Sequence, residues 1–253
     1  MHTTKLAASL LVLLALVLIG APAWAETVNC TAITSLPAVI TVQGVYCFTG
    51  DLSTAITTGN AIEIQTNNVV IDLNGFKLGG LAAGPGTLAY GIRAGSRQNI
   101  TIKNGTIRGF FNGIFFDDAG AAKGHVVEDI RADQNTSVGM RIEGPDNIIR
   151  NNLVVATGGT TALGANADAY GIIVFGTGVR VLNNDVIDTL GTGTGSTRGI
   201  DVRGAPGALV VNNRITGADV GIDYGGSTGK FRDNITFDVT TSYIGGTNIG
   251  NNN

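Results

Sequence analysis

The chain has 253 residues, of which 43% are hydrophobic and only 14% are charged, and it contains 38 glycines. The formal net charge of −3 gives no electrostatic basis for binding nucleic acid or an anionic membrane, so neither partner is expected. Plentiful valine and isoleucine exclude a disordered chain, and the length suits one large domain.

Residues 1–25 have the pattern of a secretory signal peptide. Lys5 precedes an apolar run at 6–19 that contains a single polar residue, Ser9, and Ala23-Trp24-Ala25 is a small-x-small cleavage site. The apolar run is shorter than the roughly 20 residues that a membrane-spanning helix needs. We therefore expect an exported protein, periplasmic or extracellular, with no membrane span after cleavage; a membrane anchor is the alternative.

The two cysteines, Cys30 and Cys47, lie close to the expected mature N-terminus. Export permits a disulfide, which for a loop of this size would stabilise the fold by about 3 kcal/mol in the chain-entropy model. We predict that they are bridged within a short N-terminal cap that, with the first coil, occupies residues 26–60; two free thiols are the alternative. With two cysteines and one mature histidine, His125, a cysteine–histidine metal site is not expected, and His125 is interpreted as a surface residue.

From residue 61 onward, an apolar strand start recurs at intervals of 22 to 32 residues. A second landmark follows each start after 12 to 15 residues, whereas the distance from a landmark to the next start varies from 8 to 19 residues. Insertions confined to one place in each repeat are typical of a solenoid with loops along one edge. The starts are Ala61-Ile62, Gly91-Ile92, Gly113-Ile114, Gly139-Met140, Gly171-Ile172, Gly199-Ile200, Gly221-Ile222 and Tyr243-Ile244, and the landmarks are Gly75, Gly105, Glu128, Asn152, Asn184, Asn213 and Asp233.

Within each repeat the pattern is short and alternating, as in Ile200 and Val202, which predicts short strands and no helix of useful length. We predict an all-β, single-domain parallel β-helix of about eight coils over residues 61–253, with the polar end "TNIGNNN" closing the last coil. The pairs Asn151-Asn152, Asn183-Asn184 and Asn212-Asn213 are interpreted as structural, because stacked amides can donate and accept along the solenoid axis.

On these features the chain resembles the right-handed parallel β-helix, pectate-lyase-like superfamily, and in particular its small exported bacterial members. The resemblance covers residues 36–250 and is carried by the Gly-Ile starts, the Asn-Asn corners and the opening "LPAVITVQGVYCFTGDL". It implies a right-handed β-helix with polysaccharide as its partner.

The resemblance does not specify a reaction. The polygalacturonase motifs Asp-Asp, Gly-His-Gly and Arg-Ile-Lys are matched only in part by Asp117-Asp118, Gly124-His125-Val126 and Arg141-Ile142-Glu143. No pectate-lyase Arg-x-Pro-x-x-Arg segment is present in the sequence.

Strand alternation places the residue after each inward-facing isoleucine on the outer surface. The first outward column then reads Glu63, Arg93, Phe115, Arg141, Ile173, Asp201, Asp223, and a second column, two residues further along, reads Gln65, Gly95, Asp117, Glu143, Phe175, Arg203, Gly225. The long variable segments 79–90, 156–170 and 188–198 are expected to rise as loops on either side of a floor. That floor consists of Phe115, Asp117, Arg141 and Glu143, with Arg93 at one rim.

Two close carboxylates raise the pKa of one of them, so Asp117 and Glu143 suit acid–base catalysis, or they can bind a hard cation such as calcium. Arginine can hold a substrate carboxylate, and in a lyase it can neutralise a uronate while a base removes a proton. The candidate catalytic residues are Asp117, Arg141 and Glu143, and the candidate substrate-binding residues are Arg93, Phe115, Asp201, Arg203 and Asp223. The alternative is a solvated sheet face with cross-strand ion pairs, for instance Arg141 with Asp117.

The sequence therefore predicts an exported β-helix protein that binds polysaccharide or a cell-surface glycan. One alternative is a polysaccharide lyase or glycoside hydrolase that acts on acidic polysaccharide across the floor residues. Another is a structural or adhesive surface module. A deep trough would favour the enzyme, and a flat face with satisfied ion pairs would favour binding or structure.

Overall fold

The computed structural model describes residues 29–253, and within them the regular elements are 23 strands and one short 3-10 helix, Leu81–Ala83. The predicted signal peptide lies outside the described residues. The strands are β1 (Thr31–Ile33), β2 (Ala38–Ile40), β3 (Gly44–Phe48), β4 (Leu52–Ser53), β5 (Asn60–Ile64), β6 (Val69–Asp72), β7 (Lys77–Gly79), β8 (Tyr90–Gly95), β9 (Ile100–Arg108), β10 (Asn112–Asp117), β11 (Val126–Asp133), β12 (Val138–Ile142), β13 (Ile148–Arg150), β14 (Leu153–Gly158), β15 (Ala169–Phe175), β16 (Arg180–Leu182), β17 (Asp185–Leu190), β18 (Thr197–Gly204), β19 (Ala208–Val211), β20 (Arg214–Asp223), β21 (Gly229–Arg232), β22 (Ile235–Ile244) and β23 (Thr247–Asn248). No helix among the described residues is long and apolar enough to cross a membrane.

Each strand pairs in parallel with the equivalent strand of the next coil, so the chain forms a parallel β-solenoid of about eight turns. The strand starts predicted from the sequence stack in register through β5, β8, β10, β12, β15, β18 and β20. Their apolar residues form a fully buried ladder along the axis, composed of Ile62, Ile92, Ile114, Met140, Ile172, Ile200 and Ile222. Burying each such side chain contributes about 1.5–3 kcal/mol, which explains why the repeat specifies the fold.

One corner of seven successive coils is turned by a residue in the left-handed backbone conformation, which asparagine and aspartate adopt more readily than most residues. The φ angles at this corner lie between 50° and 58° at Asn74, Asn104, Asp129, Asn151, Asn183, Asn212 and Asp233. Two predicted landmarks are therefore displaced. In the third coil the corner is Asp129, because Glu128 still pairs with Lys103 and Arg150 whereas Asp129 is skipped in the strand pairing. In the last coil Asp233 is the corner itself, and the buried residue after it is Asn234.

The residue after this corner forms a buried amide ladder, which confirms the structural interpretation of the paired asparagines. The Nδ2 of Asn152 donates to Oδ1 of Asn184 at 3.0 Å, and Asn184 donates in the same way to Asn213 at 3.0 Å. The backbone N–H of each ladder residue donates to the same acceptor. The ladder continues through Asn234 to Asn252, two members that the sequence interpretation did not include.

A disulfide stabilises the N-terminal end of the described solenoid, and side-chain hydrogen bonds stabilise its C-terminal end. Cys30 and Cys47 form the predicted disulfide, with their Cα atoms 5.7 Å apart, beside the pairing of β1 with β3. At the other end, the Tyr243 hydroxyl donates to the Asn253 carbonyl at 2.9 Å, and Thr236 Oγ1 donates to the same oxygen at 2.9 Å. The C-terminal segment thus forms a polar closure of the last coil, as predicted.

The interpretation of His125 as a surface residue is wrong, because its side chain is only 1% exposed. It occupies the inward corner position that Asn147 occupies in the next coil. His125 Nδ1 accepts a hydrogen bond from the Ile100 backbone N–H at 3.3 Å, and Asn147 Oδ1 accepts one from the His125 N–H at 2.8 Å. The imidazole packs on Phe116 with 4.7 Å between ring centroids. Burial lowers the pKa of His125 to about 4, although the charge of Asp118 acts in the opposite direction.

Candidate functional site

The candidate site is the outer surface of the sheet formed by β8, β10, β12, β15, β18 and β20. Equivalent positions on adjacent coils lie about 4.8 Å apart, as in any β-sheet. We call this surface the arginine–aromatic face and define it by Tyr90, Arg93, Phe115, Asp117, Arg141, Glu143, Tyr170, Phe175, Arg198, Asp201, Arg203 and Asp223.

The first outward column is in the predicted register. Arg93 lies opposite Phe115, Phe115 opposite Arg141, Arg141 opposite Ile173, and Asp201 opposite Asp223. Arg93, Phe115 and Arg141 are partly exposed, so these strands have the outward orientation that alternation predicts.

The second column is interrupted. Asp117 lies opposite Gly95 as predicted, but the register shifts between Ile173 and Phe175, which places Phe175 opposite Gly204 and not opposite Arg203. A Cβ atom on Gly204 would lie only 2.1 Å from Cδ1 of Phe175. Glycine at 204 therefore lets the phenyl ring lie against the neighbouring backbone, which simple alternation did not anticipate.

Each carboxylate of the predicted floor binds its own arginine. Arg93 Nη2 lies 2.9 Å from Asp117 Oδ2, and Arg141 Nε donates to Glu143 Oε1 at 2.6 Å. The second Glu143 oxygen accepts the backbone N–H of Asp118 at 3.1 Å. The expected pair of Arg141 with Asp117 is wrong, because the guanidinium reaches the residue two positions along its own chain. Asp117 and Glu143 lie on adjacent coils, but each is fixed as an ion-pair partner.

Aromatic rings alternate with the guanidinium groups along the axis. The guanidinium carbon of Arg141 lies 5.1 Å from the Phe115 ring centroid and 5.4 Å from that of Phe175, and Arg93 lies 5.8 Å from Phe115. The Tyr90 ring packs against Phe115 with 5.1 Å between centroids. These are distances for cation–π attraction, so the rings and ion pairs hold one another in place.

The C-terminal part of the face contains a buried ion network. Asp201 and Asp223 lie in the outward column as predicted, but arginines cover them, so they are only 1% and 3% exposed and are not presented to a ligand as expected. Arg203 covers Asp201 with Nη2 at 2.7 Å from Oδ2, and Arg198 Nε donates to Asp223 Oδ2 at 2.7 Å. The hydrogen bond to Asp201 is the main reason that the pKa of Arg203 is raised above its usual range. The arginines, and not the carboxylates, meet the solvent here.

Sequence reasoning missed Tyr90, Tyr170 and Arg198, although a signal for them exists. Each immediately precedes a Gly-Ile start, and in the structure Tyr170 lies opposite Arg198. The Arg198 guanidinium lies 5.6 Å from the Tyr170 ring centroid, and the Tyr170 hydroxyl donates to Asp168 at 3.2 Å. Burial, followed by the charge of Asp168, raises the pKa of Tyr170.

The three long loops form one wall, not two. The Thr161 N–H donates to the Pro85 carbonyl at 3.0 Å, so segments 79–90 and 156–170 join across the two intervening coils. The Ser196 N–H donates to Asp168 Oδ1 at 2.8 Å, which attaches segment 188–198 to the same wall. All three segments precede their strands, so the wall runs along one edge of the face, and the floor residues are not enclosed on both sides as expected.

Within residues 29–253, no group of three or more histidine, cysteine, aspartate or glutamate side chains is arranged to hold a metal ion. Asp117 and Glu143 are bound to arginines, so the geometry adds no support to the calcium prediction.

Comparison with solved structures identifies the fold. The enzymatically active domain of tailspike protein 2 from bacteriophage CBA120 aligns with a TM-score of 0.60 at 15% identity, over 89% of this chain and 39% of that chain. The alginate lyase from Paenibacillus sp. str. FPU-7 aligns with a TM-score of 0.52 at 17% identity, over 82% of this chain and 85% of that one. The pectate lyase Pel9A aligns with a TM-score of 0.54 at 10% identity, over 87% and 68% of the two chains.

These matches confirm the predicted pectate-lyase-like β-helix fold. This chain spans 39% of the length of the tailspike domain that it matches. No protein-family model and no curated protein matches the sequence.

Proposed function

We propose that this protein binds glycan chains on the arginine–aromatic face and does not convert them chemically. The observation that carries the proposal is a surface on consecutive coils where partly exposed aromatic rings alternate with arginines that already have carboxylate partners.

Such a surface suits a sugar chain for two reasons. A sugar ring has an apolar C–H face that packs on an aromatic ring, and Tyr90, Phe115, Tyr170 and Phe175 each leave part of a ring accessible. Sugar hydroxyls also need fixed donors and acceptors, which the arginine N–H groups and carboxylate oxygens supply. Because ion pairs and ring contacts fix these side chains before binding, little conformational entropy is lost when a ligand arrives.

The same geometry disfavours the lyase or hydrolase alternative. A general acid or base must exchange a proton with the substrate within hydrogen-bond reach. The carboxylate of Asp117 faces Arg93, and that of Glu143 is shared between Arg141 and the Asp118 N–H. Catalysis would first require one of these ion pairs to open.

The comparisons support a polysaccharide as the ligand class, because an alginate lyase and a pectate lyase share the fold. The exported location expected from residues 1–25 would bring the protein to polysaccharides of the periplasm or cell surface. A structural or adhesive module would also use such a face for glycan contact, so that alternative differs in biological role and not in ligand.

The test is a binding screen of the purified protein against pectin, alginate and other soluble polysaccharides. Parent, Phe115→Ala and Phe237→Ala proteins are compared; Phe237 is 73% exposed on a different sheet and serves as the control. We expect one polymer class to bind the parent and the control equally and Phe115→Ala at least about tenfold more weakly, which corresponds to loss of one stacked ring.

Ultraviolet absorbance and reducing ends are measured on the same samples. If the parent releases unsaturated or reducing ends, and Asp117→Asn with Glu143→Gln abolishes that release, the enzyme alternative is correct. If no polymer binds the folded parent, the proposed function is wrong.

A further inference from the structure

We infer that the arginine–aromatic face selects uncharged sugars and discriminates against uronates and other anionic sugars. This inference rests on the proposed function and gives its ligand a chemical class. It follows from how the charges on the face are compensated.

The face has no excess of positive charge. The face carries four arginines and, with Glu63 opposite Arg93 on β5, five carboxylates, so these charges sum to −1. The arginines are Arg93, Arg141, Arg198 and Arg203, and the carboxylates are Glu63, Asp117, Glu143, Asp201 and Asp223. An approaching polyanion would meet a neutral to slightly negative surface, which gives it no electrostatic steering.

No guanidinium on the face is free to receive a ligand carboxylate. Donor–acceptor distances to the protein's own carboxylates are 2.9 Å for Arg93, 2.6 Å for Arg141 and 2.7 Å for both Arg198 and Arg203. Arg141 has the most internal contacts of the four, because the rings of Phe115 and Phe175 also lie against its guanidinium group.

A uronate could therefore bind an arginine only by displacing an internal carboxylate. The exchange replaces one ion pair with an equivalent one, so it brings no net gain in attraction. It also leaves the displaced carboxylate, for instance that of Glu143, without a partner and close to the new anion, where like charges repel. This repulsion offsets the favourable binding free energy that an anionic sugar gains from contact with the aromatic rings.

A neutral sugar avoids that exchange. Its hydroxyl groups can donate to the carboxylate oxygens and accept from the remaining arginine N–H groups while every ion pair stays intact. Hydrogen bonds to charged partners are stronger than those between neutral groups, so the internal pairs are suitable recognition elements for hydroxyls.

Four cations of the described residues lack a carboxylate partner, and two of them lie on a different sheet. Within residues 29–253, Arg97, Lys123, Arg180 and Lys230 have no acidic oxygen within 4.0 Å. Arg180 and Lys230 flank Leu209 on the sheet of β16, β19 and β21. Charge-driven attachment of a polyanion is therefore expected at Arg180 and Lys230 on that sheet and not at the paired arginines of the arginine–aromatic face.

The experiment starts from the polymer that binds in the screen and compares it with a charge-altered counterpart. A neutral polymer is oxidised to uronates at its primary hydroxyl groups, and an acidic polymer is reduced at its carboxyl groups. Affinities are measured between about 0.05 and 0.5 M salt, a range over which screening of exposed charges rises strongly. We expect the neutral member of the pair to bind more tightly, with an affinity that changes less than about twofold across that range.

Glu143→Gln tests the inference more directly, because it removes the carboxylate charge that compensates the Arg141 guanidinium. The ratio of acidic to neutral affinity should rise by about fivefold at low salt, as expected for one uncompensated cation near a surface. Glu128→Gln is the matched control, since it frees Arg150 on a different sheet and should leave the ratio unchanged. Asp117→Asn, which frees Arg93, repeats the test if Glu143→Gln does not fold.

The outcomes separate the two proposals. Tighter, salt-sensitive binding of the acidic member to the parent overturns the selectivity and leaves glycan binding intact. If that acidic binding disappears in Arg180→Ala with Lys230→Ala, it belongs to the other sheet, and the selectivity of the face stands. If neither member of any pair binds, the proposed function fails and this inference fails with it.

Discussion

Mild acid is expected to destabilise this protein through one buried histidine. The His125 imidazole is 1% exposed, its Nδ1 accepts the Ile100 N–H, and burial holds its pKa at about 4 against an ordinary value of 6.5. The unfolded chain therefore binds this proton more readily than the folded chain does. The stabilising contribution of the neutral imidazole is complete above pH 6.5 and is lost as the pH falls towards 4.

From these pKa values, proton linkage removes about 2 kcal/mol of folding free energy by pH 5 and about 3 kcal/mol by pH 4. Urea unfolding, followed by circular dichroism at intervals from pH 7 to pH 4, measures this loss directly. His125→Asn is the matched variant, because the equivalent corner of the next coil uses Asn147 to accept the same kind of backbone hydrogen bond.

The variant is expected to be less stable at pH 7, since the ring contact with Phe116 is lost, but its stability should vary less with pH. The deciding quantity is the difference between parent and variant in how steeply the free energy of unfolding changes with pH. If parent and variant lose the same free energy between pH 6.5 and pH 4, His125 is not the group responsible and the argument from its burial is refuted.

Three further predictions concern stability. Replacing Cys30 and Cys47 by serine should cost about 2–5 kcal/mol, and titration of unfolded, unreduced protein should find no free thiol; two free thiols would contradict the bridge. Asn184→Ala should cost about 2–4 kcal/mol in urea unfolding, because it leaves buried amide and backbone groups of the ladder without partners, and a cost below about 0.5 kcal/mol would contradict the ladder's role. Asp201→Ala should cost about 2–3 kcal/mol, because the buried carboxylate accepts both the backbone N–H and the guanidinium of Arg203, whereas Asp117→Asn at a partly exposed pair should cost about 1 kcal/mol or less; equal costs would refute the distinction between the buried and exposed pairs.

Much of the fold and the first outward column could be predicted from the sequence because both depend on local periodicity. A Gly-Ile start fixes which side chain points inward, and Arg93, Phe115 and Arg141 then follow by alternation with a period of two. The distance from each start to its landmark varies only from 12 to 15 residues, so equivalent positions stack although the loops differ in length.

The rest of the site depends on contacts that periodicity does not encode. The bulge after Ile173 changes the neighbour of Phe175 because a glycine happens to stand at 204. Arginine is long enough to reach either along its own strand or to the next coil, so the column could not show that Arg141 selects Glu143. The burial of His125 depends on its stacking at the inward corner above Asn147, and the segment between β10 and β11 gives no periodic signal for that position.

The hydrogen bonds of the amide ladder all point the same way along the solenoid, and the ladder also defines a segment that can be duplicated without breaking it. From Asn152 to Asn234, each ladder residue gives both its side-chain and its backbone hydrogen to the next asparagine towards the C-terminus. A coil copied from one ladder asparagine to the residue before the next, such as 184–212, would bring one complete ladder residue with it. Its asparagine would accept from the preceding coil and donate to the following coil, so the ladder would remain continuous. Duplication of this segment would add another Arg198, Asp201 and Arg203 to the face in the same step, so the length of the face and the length of the protein can grow together.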